Sequence, residues 1–185
     1  MTPQFSPQTL SNIEILKTRY PVEQSKSALL PILHMAQAEF GGYLSRESMD
    51  YVASILDLQP IEVYEVATFY TMFHLKPTGK YVLEVCRTGP CALLGAEHIV
   101  DYLKQKLGVD LNQITSDGLF TIKEVECLAS CGTGPVLQVG ECYVENLTEH
   151  RIDSMLESLR RGELSDNEPT PTHSILFRTC GEKQS

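Results

Sequence analysis

Four cysteines fall into two close pairs, Cys86-Arg-Thr-Gly-Pro-Cys91 spaced C-x4-C and Cys127-Leu-Ala-Ser-Cys131 spaced C-x3-C. Each pair follows directly on a short run rich in strand formers, Tyr81–Val85 for the first and Phe120–Glu126 for the second. Adjacent strands of one sheet would carry both loops to the same edge. Four thiols then converge on one centre, so any fold this chain adopts must bring residues distant in sequence together there.

Soft thiolates suit zinc and iron-sulfur clusters. Zinc fits C-x2–4-C spacing. A two-iron cluster takes a thiolate pair on each iron and backbone amides around its sulfides, which glycine-bearing loops provide; Gly89, Gly132 and Gly134 lie in or beside the two loops. Buried cysteines that act as small hydrophobes are a third explanation, but two spaced pairs at matching strand ends go beyond it. A thioredoxin-like dithiol site is disfavoured by the C-x4-C spacing, since that chemistry uses C-x-x-C. Cys142, within an expected strand, reads as core, and Cys180 lies in a polar tail; neither belongs to a close pair. The histidines at 34, 74, 98, 150 and 173 are scattered, which gives a mixed Cys/His cluster no support.

The rest of the chain reads as helices followed by an α/β unit. Ser6–Tyr20 is expected to be a short helix stopped by Pro21. Leu29, Ile32, Leu33, Ala36 and Phe40 form one face of a second, with Pro31 in its first turn and Gly41-Gly42 closing it. Ser45 caps a third, faced by Met49, Val52, Ala53 and Leu56. Pro60 starts a fourth, with Val63, Val66, Ala67 and Tyr70 as its stripe and its break at Lys76–Gly79. After the strand Tyr81–Val85, a helix over about Ala92–Leu107 ends at Gly108. Strands follow at Phe120–Glu126, Val136–Val139 and Cys142–Glu145, the last two hinged at Gly140-Glu141, and Thr148 caps a final helix faced by Ile152, Met155, Leu156 and Leu159. Three regions result: helical 1–79, α/β 80–162 and a flexible polar tail 163–185.

With 24 Asp or Glu against 15 Lys or Arg, the formal charge is −9. That balance, without a basic stripe, argues against a nucleic-acid partner. The longest apolar runs fall short of the ~20 residues a membrane span needs, and no charged start with an apolar core marks a secretory signal. Thiols in a reducing compartment then call for an explanation other than disulfides. No G-x-G-x-x-G follows a strand and no P-loop occurs, so a nucleotide site on this chain is not expected.

The run Ala67-Thr68-Phe69-Tyr70-Thr71-Met72-Phe73, then Gly79-Lys80-Tyr81, Cys86, Pro90-Cys91 and Cys127-Leu-Ala-Ser-Cys-Gly-Thr-Gly-Pro-Val136, resembles the E subunit of NADH-quinone oxidoreductase, respiratory complex I, over roughly residues 10 to 162. Ser130 and Gly134 stand where glycine and alanine are common, a mild departure. The resemblance implies an α/β fold: a thioredoxin-like 2Fe-2S ferredoxin domain preceded by an N-terminal helical bundle. It implies one 2Fe-2S cluster held by Cys86, Cys91, Cys127 and Cys131, and no catalytic substrate site on this chain. It further implies docking on a flavoprotein subunit that carries FMN and the NADH site, alongside other peripheral-arm subunits. Such a complex lies on the cytoplasmic side of the bacterial inner membrane, into which this chain would not itself insert. Related subunits of soluble NAD-linked hydrogenases and formate dehydrogenases are the nearest alternative. A zinc-stabilised interaction module is the alternative of another class, and a free ferredoxin-type carrier would not need the helical extension.

Three finer expectations follow. Phe69 to Phe73 and the helices before it are candidates for a docking surface, against simple core at the same spacing. Glu84, Glu124 and Glu126 flank the cysteines and would disfavour an added electron, with Arg87 acting the other way, unless all four face solvent. Pro135, at a strand start after the second loop, is expected to be cis, as thioredoxin-like folds often have there.

Overall fold

Proline and hydroxyl caps set the starts of most helices. The computed structural model describes residues 3–162 and 169–171 and divides into two units, Met1–Pro77 and Thr78–Ser185. In the first, Ser6 caps α1 (Pro7–Lys17), its Oγ accepting from the Thr9 N–H at 3.3 Å. A 3₁₀ segment (Val22–Ala28) leads into α2 (Leu29–Glu39). Ser45 caps α3 (Arg46–Leu56) through the Ser48 N–H at 3.2 Å. Pro60 opens α4 (Pro60–Phe69) behind a capping box in which the Glu62 carboxylate accepts from the Gln59 N–H at 3.0 Å. Their apolar faces meet in one core of Ile13, Leu29, Ile32, Leu33, Val52, Leu56 and Val63, with Phe5 stacked on Phe40 at 4.8 Å.

Two helix ends differ from expectation. α1 stops at Lys17, and Arg19 and Tyr20 close it with tight turns onto Leu16 and Lys17. α4 stops at Phe69, where Tyr70 turns extended. The reason lies in α2: Gln37 donates from Nε2 to the Met72 carbonyl at 3.0 Å and accepts from the His74 N–H at 2.7 Å, pairing backbone that leaves the helix. This divides the aromatic run. Phe73 is core, whereas Phe69 is 77% exposed and Tyr70 and Met72 are partly exposed, so only part of the run is available as surface, and of the stripe expected on α4, Val63 and Ala67 are buried.

The second unit is built on a sheet of β1 (Tyr81–Cys86), β2 (Phe120–Val125), β3 (Leu137–Val139), β4 (Cys142–Val144) and β5 (Pro169–Pro171), in the order β2-β1-β3-β4-β5. β1 and β2 are parallel and the other pairs antiparallel. Leu83, Val85, Phe120, Ile122, Leu137 and Val139 pack with α6 (Ala96–Leu107) and α7 (Glu149–Arg160). Thr148 caps α7 and Gly108, at φ 67°, ends α6, as expected. The helix expected over 92–107 is two. α5 (Gly89–Leu93) contains Cys91, and Gly95 at φ 94° breaks the chain before α6. The tail expected over 163–185 lies outside the described residues apart from Pro169–Pro171. No helix among the described residues is long and apolar enough to cross a membrane.

Candidate metal centre

Parallel pairing of β1 with β2 matches Cys86 to Val125 in register, so the first cysteine and the loop entering the second pair leave the same edge of the sheet. Cys86 ends β1, its N–H donating to the Val136 carbonyl at 3.1 Å, and Arg87 N–H donates to Val125 at 3.1 Å. Cys91 follows one turn later in α5, its N–H on the Thr88 carbonyl at 2.9 Å. Both thiols are buried, with 1% exposure each. Cys127 and Cys131 are exposed, with their sulfurs 3.9 Å apart and the Ala129 N–H 3.3 Å from the Cys127 Sγ. Ala129 reaches that position at φ 60°, a left-handed backbone unusual for alanine.

The thiols sense one another. Burial pushes the Cys86 thiol up, but hydrogen bonds from the Thr88 hydroxyl, from the Leu128 and Thr88 backbone and from Cys91 outweigh it and hold it below the ordinary value. Burial, then the Cys86 hydrogen bond, raises Cys91. Cys131 is raised by its hydrogen bond with Cys127 and by that neighbour's charge. Close thiols, of which Cys91 and Cys131 are held above the ordinary value, are a donor set that a metal group relieves. Among the described residues no three His, Cys, Asp or Glu side chains gather tightly enough for a single ion. Two close pairs suit a binuclear cluster, one pair to each iron.

The wall is small and tight. A Cβ on Gly134 would lie 3.3 Å from the Cys91 Sγ and 3.1 Å from the Leu94 Cδ1, so glycine is needed there for closeness. The Gly134-Pro135 peptide is cis, as expected. Val136, Leu128 and Tyr143 pack around the buried pair. The charged residues near the cysteines are paired: Arg87 lies 3.8 Å from Glu124 and 3.5 Å from Glu126, and Glu84 lies 3.4 Å from Lys123. Burial raises the Glu84 carboxyl while Lys123 pulls it back. Two cations thus stand against three carboxylates, Lys123 beside Glu84 and Arg87 shared between Glu124 and Glu126. Cys142 is buried in β4, apart from the two pairs.

Sequence reading passed over several residues. Thr88 bonds Cys86 at 3.5 Å; Tyr143 O–H donates to the Leu128 carbonyl at 2.7 Å; Glu145 accepts from Ser130 and Thr133 at 2.5 and 2.6 Å. The alternation of β4, with Cys142 and Val144 inward, was the available signal for the opposite face.

A parallel β1–β2 pair delivering two cysteine loops to one sheet edge defines a thioredoxin-like iron-sulfur domain. The family model described as "Thioredoxin-like [2Fe-2S] ferredoxin" matches residues 13–160. The NADH-quinone oxidoreductase E subunit of Rickettsia bellii is 42% identical over 156 residues, 84% of this chain and 93% of that one. NADH-quinone oxidoreductase subunit 2 of Thermus thermophilus is 43% identical over 146 residues, 78% of this chain and 80% of that one. An NAD+-reducing [NiFe]-hydrogenase crystal structure superposes with a TM-score of 0.66 at 18% identity, over 79% of this chain and 26% of that one, a likeness of fold. The chain belongs to the thioredoxin-like [2Fe-2S] ferredoxin family and, within it, to the E subunits of NADH-quinone oxidoreductase. It is an electron-transfer subunit with one 2Fe-2S cluster, which sets aside the zinc module.

Proposed function

We propose that Cys86, Cys91, Cys127 and Cys131 ligate the cluster and that the chain exchanges electrons with the FMN of an NADH-binding flavoprotein subunit inside a bacterial NADH-quinone oxidoreductase. The observation that carries the ligand assignment is the delivery of two thiol pairs to one edge by parallel strands. When bound, a 2Fe-2S cluster accepts and returns one electron at a time. The chain's own residues hold it in place: Cys86 and Cys91 from the buried side, Cys127 and Cys131 from the exposed side.

That asymmetry supports a direction of approach for the partner. Leu93, 91% exposed, and Leu94, 55% exposed, lie two and three residues after Cys91, and the Leu94 side chain lies beside Gly134. Adjoining apolar side chains bared beside an exposed cofactor edge favour protein docking there. Placement in the peripheral arm, on the cytoplasmic side of the membrane and without insertion, follows from the same reading.

Iron and acid-labile sulfide, the visible spectrum and EPR of the dithionite-reduced protein, purified without oxygen, test the ligand set. Two irons and two sulfides are expected, lost or labile in Cys91→Ser and kept in Cys142→Ser. Loss of the spectrum in Cys142→Ser would refute the assignment. For the partner, NADH should bleach this chain's absorption only when an NADH-oxidising flavoprotein subunit is added, and Leu93→Glu should slow the bleaching. Bleaching by NADH alone would overturn the division of labour.

A further inference from the structure

The two cysteine pairs are held by different means. Cys86 and Cys91 sit in regular structure, at the end of β1 and within α5. Cys127 and Cys131 sit on a loop whose regular structure is one 3₁₀ turn, Cys131–Thr133. Among the described residues, the backbone-to-backbone bond that involves 126–132 is a local one, from the Thr133 N–H to the Ser130 carbonyl at 3.1 Å. A loop so poorly tied by its own backbone still has its sulfurs 3.9 Å apart.

Side chains from across the site supply the hold. Tyr143 O–H donates to the Leu128 carbonyl at 2.7 Å. One carboxylate oxygen, Oε1 of Glu145, accepts from the Ser130 hydroxyl at 2.5 Å and from the Thr133 hydroxyl at 2.6 Å. Leu128 is the residue after Cys127 and Ser130 the residue before Cys131. Tyr143 and Glu145 are two apart at β4 and its end, so they face one side, while Cys142 and Val144 between and before them are buried in the sheet. Hydrogen bonds to a carboxylate are short and strong, and a shared acceptor fixes two hydroxyls together. The Asn146 N–H adds a backbone tie to the Thr133 carbonyl at 2.7 Å.

We propose that Glu145 and Tyr143 are positioning residues for the second cysteine pair, fixing the residues beside Cys127 and Cys131 so that both sulfurs keep their spacing when iron is bound. The inference rests on the reading that Cys127 and Cys131 hold iron. Groups that orient metal ligands from behind matter to metal retention about 10- to 100-fold.

The test uses the full chain with its cluster, purified without oxygen. Iron release to a chelator and the EPR line shape of the reduced protein are followed. Failure of the wild-type chain to hold two irons and two sulfides, or retention of an unaltered cluster in Cys131→Ser, would dispose of the underlying reading. With both in order, Glu145→Ala is expected to release iron at least about tenfold faster with broadened EPR lines, and Glu145→Gln, which keeps an acceptor oxygen for both hydroxyls, to stay within about threefold of wild type. Adding Ser130→Ala and Thr133→Val to Glu145→Ala should change release less than the same pair does in wild type, because the carboxylate bonds are already gone and only the direct Ser130–Thr133 contacts at 2.7 and 3.2 Å are left to lose. Tyr143→Phe should accelerate release less than Glu145→Ala. Asp153→Ala, which severs a surface network of the same unit, controls for general loosening and should leave release unchanged. Wild-type release in Glu145→Ala, equal release in Asp153→Ala, additive effects of the hydroxyl substitutions, or no rescue by glutamine would each overturn the proposal. If Glu145→Ala yields no folded protein, Glu145→Gln with and without the hydroxyl substitutions decides it: the positioning role predicts that removing the hydroxyls accelerates release on that background, and an unchanged rate refutes it.

Discussion

Gly79→Ala isolates a contact that admits no side chain. A Cβ there would fall 2.6, 2.7 and 2.8 Å from the C, N and O atoms of Phe120. Ordinary contact begins at 3.4 Å, so the two backbones must part by about 0.8 Å. They are tied at that spot: Lys80 N–H donates to Gly118 at 3.1 Å, Tyr81 N–H to Leu119 at 2.7 Å, and Gly79 N–H to the buried Thr121 hydroxyl at 2.8 Å. Forcing an extra carbon into packed backbone costs about 1–3 kcal/mol, and an orphaned buried N–H about 1–3 more. The lower entropy of an unfolded alanine returns about 0.4–1 kcal/mol. The net loss is about 1–5.6 kcal/mol, a fall in Tm on the order of 5–25 °C for a unit of this size. Denaturant unfolding followed by the visible absorption of the cluster and by near-ultraviolet dichroism measures it. Thr121→Val removes only the hydroxyl and should cost about 1–3 kcal/mol, so the excess in Gly79→Ala is the steric part. A Gly79→Ala variant within about 0.5 kcal/mol of wild type, or no worse than Thr121→Val, would refute the reasoning.

Gly134→Ala should fold normally, since its φ of −65° and ψ of 158° suit any residue; the exposed Leu94 tip can swing away but the buried Cys91 sulfur cannot, so shifted EPR g-values and faster iron loss are expected, and an unchanged cluster would count against the close wall. Gln37→Ala should lower the free energy of unfolding by about 1 kcal/mol and speed amide exchange at His74, whose N–H it pairs. Hydrogen bonds from Lys106 and then Tyr102 depress the Asp153 carboxyl despite some opposing desolvation. A depressed folded pKa stabilises above the unfolded aspartate value near ~3.9 and is lost as pH falls through the folded value. Asp153→Asn should therefore trail wild type at neutral pH, with the gap closing below about pH 4 in a series of denaturant midpoints; a gap that persists in acid would contradict this origin.

Most of the fold was legible because its signals are local. Ser45, Pro60 and Thr148 mark helix starts by chemistry that needs nothing beyond the next turn. Gly108 likewise marks an end. The misplaced ends have distant causes. α4 stops at Phe69 because Gln37, on α2, takes the backbone of Met72 and His74. The split between α5 and α6 turns on Gly95, which in sequence is only a tolerated glycine within an apolar-faced run.

At the site, residue order alone offered the candidate donors: thiol chemistry in two spaced pairs, each after a strand, in a chain without nucleotide-binding loops. It also held the family's motif, because that motif is contiguous. How those donors are presented came from packing. Parallel pairing of β1 with β2 put both loops at one edge, buried Cys86 and Cys91, and left Cys127 and Cys131 at the surface. It brought Tyr143 and Glu145 onto the second loop and matched Arg87 and Lys123 to carboxylates whose effect sequence alone left open. Residue identity fixes what a side chain can bond, but which partner it meets and how much water surrounds it depend on packing between segments far apart in the chain.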